Sequence, residues 1–92
     1  MSGGHFQYKQ WEIGNISDEV EQLIIDNDSE ELDQWGDRKG CHFTPETIVE
    51  FKKALVLLRQ AHIYAQRIDW LVSGDDGEDS FHRRLKTDLE KL

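Results

Sequence analysis

The sequence predicts an all-α fold in which a long central helix is packed by an N-terminal helix and a C-terminal helix. Residues 46 to 73 contain neither Gly nor Pro, and helix start and stop signals stand at the two ends of this stretch. Apolar residues recur at intervals of three and four in three separate segments, and no segment alternates as a strand does. The 92 residues suit a single small helical domain that covers 1–92.

The chain opens with an arm, residues 1–10, in which Gly3 and Gly4 oppose early helix formation. Phe6, Tyr8 and Trp11 make this end unusually aromatic, and we expect them to pack on the body of the protein. The first helix is predicted from about Tyr8 or Gln10 to Asp26, with a second possible start at Ser17. Its apolar residues are Ile13, Ile16, Val20, Leu23 and Ile24.

A polar connection follows at residues 27–43. A short helical turn is predicted around 29–35, with Ser29 as its cap and with Leu32 and Trp35 on one face. A connection of this length is unusual in a compact domain, so the segment is a candidate for a functional role.

The central helix is predicted from about residue 45 to residue 72. Thr44 is a good N-cap, Pro45 suits the first helical position, and Phe43 and Ile48 have the spacing of a hydrophobic staple. Gly74 supplies the C-terminal stop. Such a helix is about 42 Å long, which is more than a compact monomer of this size can cover on every side.

Three lines of apolar residues run along this central helix. Two adjacent lines are predicted to form the core against the other two helices. They are Ala54, Leu57, Ala61, Tyr64, Ile68 and Leu71, and Phe51, Leu55, Leu58, His62, Ala65 and Val72. The third line recurs every seven residues among charged side chains, so it predicts a subunit seam, with solitary exposed apolar residues as the alternative. It consists of Val49, Val56, Ile63 and Trp70.

The third helix is predicted from about Glu78 to Lys91, after a tight turn at residues 73–77. Acidic residues in and after this turn lie at the positive end of the helix, where carboxylates are favourable. Its single apolar line is Phe81, Leu85, Leu89 and Leu92.

Composition restricts the classes of function. Nineteen acidic residues against eleven basic ones give a net charge of −8, which disfavours direct nucleic-acid binding because the basic residues are scattered. The single cysteine, Cys41, excludes an internal disulfide and fits a reducing cytoplasm. The N-terminus lacks the pattern of a signal peptide, and no apolar run is long enough for a membrane span. We therefore expect a soluble cytoplasmic protein.

No pattern of catalytic or metal-binding residues stands out. The stretch from Asp26 begins like a calcium loop, but Glu31 occupies the position that needs Gly and Asp37 the position of the bidentate Glu. The histidines lack zinc-finger spacing, and adjacency of Cys41 and His42 is not the arrangement of a thiol enzyme. His62 is interpreted as a hydrogen-bonded core residue. The sequence predicts no enzyme activity, no metal and no cofactor.

Residues near both ends could form a binding site for an anion. Aromatic rings combined with cationic side chains suit a nucleotide, because the rings stack on the base and the cations hold the phosphates. The alternative is that the arginines pair with Asp76, Glu78 or Asp88 and that the aromatic rings lie in the core. The candidate ligand-binding residues are His5, Phe6, Tyr8, Lys9, Trp11, His82, Arg83 and Arg84.

The two ends also resemble a group of small phage and prophage proteins. The segments MSGGHFQYKQ and AQRIDWLVSGDDGEDSFHRRL are similar to that group's Ser-Gly-Gly-(His or Tyr)-Phe-x-Tyr opening and its Asp-Trp-Leu-x-Ser-Gly-Asp-Asp-Gly-Glu ending. The likeness covers nearly the whole chain and is weakest in the middle connection. It implies that Met1–Gly4 are native residues and that the protein acts in a bacterial host cytoplasm.

This resemblance implies a non-enzymatic accessory protein that disables a host antiviral defence. The favoured mechanism is sequestration of a nucleotide-type immune signal by a homo-oligomer of at least two chains. The alternative is an acidic inhibitor that mimics nucleic acid and binds a host defence or nucleic-acid-processing enzyme. A structural or regulatory phage helper without a defence role is a third possibility.

Overall fold

The computed structural model describes residues 4–92, which form three helices. They are α1 (Gln10–Asp26), α2 (Pro45–Val72) and α3 (Glu78–Glu90). The all-α prediction is therefore confirmed. Residues 1–3, which make up most of the segment Met1–Gly4 that is expected to be native, lie outside the described part of the chain.

Local sequence signals account for both ends of α2. The Thr44 Oγ1 atom accepts a hydrogen bond from the Thr47 N–H at 3.4 Å, and Pro45 occupies the first turn. At the other end Gly74 has a φ of +83°, and the Gly74 and Asp75 N–H groups donate to the carbonyls of Leu71 and Trp70. This pair of bonds is a Schellman motif, for which a glycine is preferred because the backbone is left-handed.

Helix α1 packs along α2, and α3 packs against α2 as well. Gly14 permits the close approach of α1 and α2, since a Cβ atom built there would lie 3.3 Å from the His62 ring. The His62 Nδ1 atom lies 2.7 Å from the Gln10 carbonyl oxygen, so this histidine is hydrogen-bonded across the two helices. Residues Gln10 and Ser17 are buried at the same interface.

The connection between α1 and α2 is a closed loop, and the predicted helical turn around 29–35 is wrong. Leu32 and Arg38 form an isolated antiparallel bridge. Asp33 turns the chain because its carboxylate accepts the backbone N–H groups of Trp35 and Asp37, at 2.8 and 3.0 Å. Such local bonds from an aspartate compete with helix formation.

The base of this loop is anchored to the helices by Asn27, which is buried. Its side chain accepts the Phe43 N–H and donates to the Phe43 carbonyl, and its own carbonyl accepts the His42 N–H. The aromatic ring of Phe43 packs edge-on against Phe51, with ring centroids 5.5 Å apart.

The three helices leave much apolar surface open. No apolar residue among residues 4–92 is fully buried, and the molecule measures 50 × 28 × 15 Å. Two apolar lines of α2 are predicted to form the core. The prediction is wrong for one of them, because most of its residues are exposed. The exposed members of that line are Leu57, Ala61, Tyr64 and Ile68. No helix within residues 4–92 combines the length and apolarity that a membrane crossing requires.

Candidate functional site

The N-terminal arm is held on the C-terminal end of α2 by backbone hydrogen bonds. The Phe6 N–H donates to Asp69 Oδ1 at 2.9 Å, and the His5 N–H donates to Ser73 Oγ at 3.1 Å. Asp69 is buried, and the Gln10 amide donates to its other oxygen at 3.4 Å. The arm residues therefore lie beside the turn that leads into α3.

A first groove, the arm groove, runs between the arm and α2, with a volume of about 260 Å³. Tyr8 and Trp11 are 59% and 51% exposed, so the expectation that these rings pack in the body is wrong, while Phe6 is half-buried. The groove is lined by Gly4, Tyr8, Gln10, Trp11, Gln66, Asp69, Trp70 and Asp75.

A second groove, the turn groove, continues from the first toward α3. It has a volume of about 310 Å³ and shares Trp70 and Asp75 with the arm groove, while Asp76 and Arg84 line it from the other side. The hydrogen bond from the Ser80 hydroxyl lowers the pKa of Asp76. Burial raises this pKa, but the hydrogen bond from the Gly77 N–H and the charges of Arg84 and Arg67 lower it further. Asp76 is therefore a carboxylate at neutral pH.

A third groove, the cationic groove, lies between α3 and the C-terminal half of α2 and has a volume of about 390 Å³. The Arg67 Nε atom is 2.7 Å from Asp88 Oδ2, and the Arg67 guanidinium carbon lies 4.8 Å from the centre of the Trp70 ring. The groove thus has one carboxylate against four cationic side chains. Its lining residues are Arg67, Arg83, Arg84, Thr87, Asp88 and Lys91.

The three grooves bring together some of the predicted ligand-binding residues. Tyr8 and Trp11 lie at one end, and Arg84, which lines both the turn groove and the cationic groove, links them to Arg83. The predicted alternative is also present, because Arg84 Nη1 lies 3.6 Å from Asp76 Oδ1.

The other predicted ligand-binding residues contribute less. Lys9 and His82 line none of the three grooves, and the His82 ring packs edge-on against Phe81. His5 and Phe6 hold the arm in place through their backbone N–H groups.

Sequence reasoning missed Arg67 and Lys91 as members of the site. Arg67 stands three residues before Trp70, which brings the two side chains together on one side of α2. That spacing was a usable signal for the pair. Lys91 stands seven residues after Arg84, so the spacing of one helix face was a usable signal for it as well.

The four residues of the predicted seam differ in exposure, and their role as a subunit interface stays a prediction. Val49, Val56 and Trp70 are exposed, and Trp70, at 36%, also lines the arm and turn grooves, while Ile63 is half-buried. Ile63 and Trp70, in the C-terminal half of this line, each line a groove of the chain itself.

A fourth groove, of about 400 Å³, separates α1 from α2 near the end of α3. The rings of Trp11 and His62 pack there with centroids 5.3 Å apart. Its one arginine, Arg59, is neutralised by Glu21 at 2.7 Å, and Asp18 also lines the groove. These charges make it less suited to an anion than the cationic groove.

The loop between α1 and α2 presents a different kind of surface, the acidic tip (residues 28–39). Trp35 is 79% exposed and Leu32 is 62% exposed. Arg38 and Lys39 pair with two of the carboxylates, Glu30 and Glu31, so an acidic excess remains around the exposed indole. Its acidic residues are Asp28, Glu30, Glu31, Asp33 and Asp37.

Within residues 4–92, no three His, Cys, Asp or Glu side chains are grouped so as to hold a metal ion. No protein-family model matches the chain, and no curated protein or solved structure does either.

Proposed function

We propose that this protein is a non-enzymatic binding protein that sequesters a nucleotide-type anionic ligand. The observation that carries the proposal is the cationic groove, in which Arg67, Arg83, Arg84 and Lys91 line one surface of a chain whose net charge is −8. A concentration of arginines in an otherwise acidic protein favours a specific anion, since planar guanidinium groups bind phosphate oxygens in pairs.

The aromatic residues supply the second half of such a site. Trp70 adjoins Arg84 in the turn groove and lies beside Tyr8 and Trp11 in the arm groove. A base that stacks on one of these rings would place its phosphates toward the cationic groove. Stacking contributes about 1–3 kcal/mol per base and does not depend strongly on the identity of the base.

The biological setting rests on the resemblance to small phage and prophage proteins. Under the proposal, the protein acts in the host cytoplasm as a counter-defence factor that removes a nucleotide immune signal. Its partners are a second copy of itself and the small ligand, and it needs no metal or cofactor.

The proposal is tested with a panel of cyclic mono-, di- and trinucleotides. A ligand at 100 times its dissociation constant raises the free energy of unfolding by about 2.7 kcal/mol, which thermal denaturation of a domain of this size detects as a shift of about 10–20 °C. Inorganic phosphate serves as the control for simple anion binding. A panel in which no nucleotide shifts the transition more than phosphate does would contradict the proposal.

Replacing Arg83 and Arg84 with Ala should abolish the nucleotide-induced shift and leave helicity unchanged. Arg84 is half-exposed, but the Asp76 carboxylate is buried and keeps its hydrogen bonds from Ser80 and Gly77, so the loss of this 3.6 Å pair should lower stability by about 1–2 kcal/mol. Lys52→Ala combined with Lys53→Ala is the matched control, because it removes the same charge from exposed positions of α2 outside these grooves. Equal loss of binding in both double variants would mean that net charge alone is responsible.

The acidic tip favours a second candidate function, inhibition of a host nucleic-acid-processing enzyme. An exposed indole ringed by carboxylates suits a basic groove with an apolar pocket, and tryptophans are frequent hot spots of protein interfaces. Here Trp35→Ala should prevent a salt-sensitive pull-down of a host nuclease, whereas Trp11→Ala should not. The nucleotide proposal predicts that Trp35→Ala leaves ligand binding intact.

A further inference from the structure

One broad apolar surface of the protein, here called the open face, is covered by no part of the described chain. On α2 it includes Leu57, which is 64% exposed, and Ile68, which is 36% exposed. The neighbouring helix α1 contributes further exposed aliphatic side chains. The members of the open face are Ile16 and Leu23 of α1, and Leu57, Ala61, Tyr64 and Ile68 of α2.

The end of α3 lies on the opposite side of the α1–α2 pair. Leu92, just beyond α3, lines the fourth groove together with Trp11 and Asp18 of α1 and with Arg59 and Ile63 of α2. These side chains therefore mark the flank of each helix that faces the end of α3.

Helix geometry places the open face away from that flank. At about 100° per residue, Ile16 and Leu23 lie roughly 140° around α1 from Trp11 and Asp18. By the same geometry Leu57 and Ile68 lie roughly 120–180° around α2 from Arg59 and Ile63. In both helices the rotation from the flank near α3 to the exposed residues has the same sense along the helix's own axis. Because α1 and α2 are antiparallel, these two rotations mirror each other in space. The exposed aliphatic residues therefore lie on one side of the α1–α2 pair.

The spacing on α2 is that of a helix–helix seam. Leu57, Ala61, Tyr64 and Ile68 follow steps of four, three and four, which is the pattern of knobs-into-holes packing. The small Ala61 side chain permits close approach in the middle of the line. No charged residue falls on this line between Ala54 and Leu71.

The exposed area is too large for a monomer that stands alone. The chain of 10.8 kDa exposes 6818 Å². A folded monomer of that mass exposes about 5,500 Å², so the excess is about 1,300 Å². A stable interface removes about 800 Å² from each partner, which the excess can supply. The radius of gyration, 17.1 Å, also exceeds the value of about 12 Å for a compact domain of this length.

From these observations we infer that a second copy of this chain packs on the open face, with α2 against α2 about a two-fold axis. No apolar residue is fully buried within residues 4–92, so the folded chain needs a permanent partner on its open face. A second copy is the partner that is always present. Two chains of net charge −8 repel each other, so the α2 line, which carries no charge from Leu57 to Ile68, is where they can meet. The location of the dimer interface goes beyond the proposed function and does not depend on ligand binding.

The test compares two adjacent residues of α2 that lie on different flanks. Leu57→Glu places a carboxylate in the open face, whereas Val56→Glu, at a residue 52% exposed, places the same charge in the line predicted from sequence as the seam. Wild-type protein at 100 µM should have twice the chain mass by light scattering. Leu57→Glu should weaken dimerisation by about 100-fold or more, since the interface would have to bury an unpaired charge. Val56→Glu should remain dimeric.

Each outcome decides the question. Unfolding of Leu57→Glu alongside a dimeric Val56→Glu supports the inference, because the uncovered chain then lacks a sufficient core. A wild-type mass of one chain overturns it. So does dissociation by Val56→Glu alone, or the absence of any effect of Leu57→Glu.

A cross-linking experiment avoids the question of whether a variant folds. In a Cys41→Ser background, Ala61→Cys lies near the middle of the open face and should form a disulfide-linked dimer on mild oxidation. Val56→Cys, in the same background, is the matched control and should stay monomeric on a non-reducing gel. Equal cross-linking of the two variants, or of Val56→Cys alone, would overturn the inference.

Discussion

Asp69 is the buried carboxylate that connects the N-terminal arm to α2. Its two oxygens accept the Phe6 N–H and the Gln10 amide, and Gly4 lies so close that a Cβ built there would come within 2.6 Å of Oδ2. The arm in turn presents Tyr8 to the arm groove. One residue thus contributes to folding and to the geometry of the candidate site.

Asp69→Ala should lower the free energy of unfolding by about 2–3 kcal/mol, because the Phe6 N–H and the Gln10 amide lose a charged acceptor. Asp69→Asn should cost about half as much, since an amide oxygen can still accept the Phe6 N–H. Urea denaturation measures both. The control is Asp75→Ala at an exposed site nearby, for which we expect a change within about 0.5 kcal/mol. A change as small in Asp69→Ala would mean that the arm is not held by this residue.

At the residue scale, short-range signals were the predictable ones. Thr44 and Gly74 act on backbone groups within a few residues, so their identity and spacing suffice to predict the ends of α2. The contact between Asp69 and Phe6 joins residues 63 positions apart. No local pattern reports such a pairing, and the same holds for the approach of Gly14 to His62.

At the scale of elements, helix periodicity predicts all three helices, but it does not say which face of a helix its neighbours cover. Helix α2 carries apolar residues around most of its circumference, while α1 and α3 are shorter, with 17 and 13 residues. They cover the sides that include Leu58 and Ile63 and leave Leu57 and Ile68 exposed. The choice between these sides depends on the loops and on long-range packing, so it could not be read from spacing.

The loop after α1 differs from its prediction for a related reason. Leu32 and Trp35 stand at helical spacing, yet a helix here would leave the Asp33 carboxylate without the two N–H groups that it accepts in the turn. Gly36, with a φ of +84°, completes the reversal. Turn chemistry thus overrides a weak periodic signal that has only two apolar residues.

At the scale of the whole molecule, charge acts in opposite directions on the two proposed associations. Ligand binding uses a local excess of cations in the cationic groove, so added salt should weaken it. Dimerisation through the open face brings together two chains of charge −8 without any compensating ion pair on the α2 line, so added salt should strengthen it. Ionic strength therefore separates the two events.

The expected size of the effect on the dimer follows from Coulomb's law. Two charges of −8 at about 25 Å in water repel by about 10 kcal/mol without salt. With a screening length of about 30 Å at 0.01 M and about 8 Å at 0.15 M, the repulsion falls from about 4–5 kcal/mol to less than about 1 kcal/mol. We therefore expect sedimentation velocity to show a dimer dissociation constant about 100-fold lower, or lower still, at 0.15 M than at 0.01 M. A dissociation constant that rises with salt would mean that ion pairs hold the two copies together, which the uncharged α2 line cannot provide.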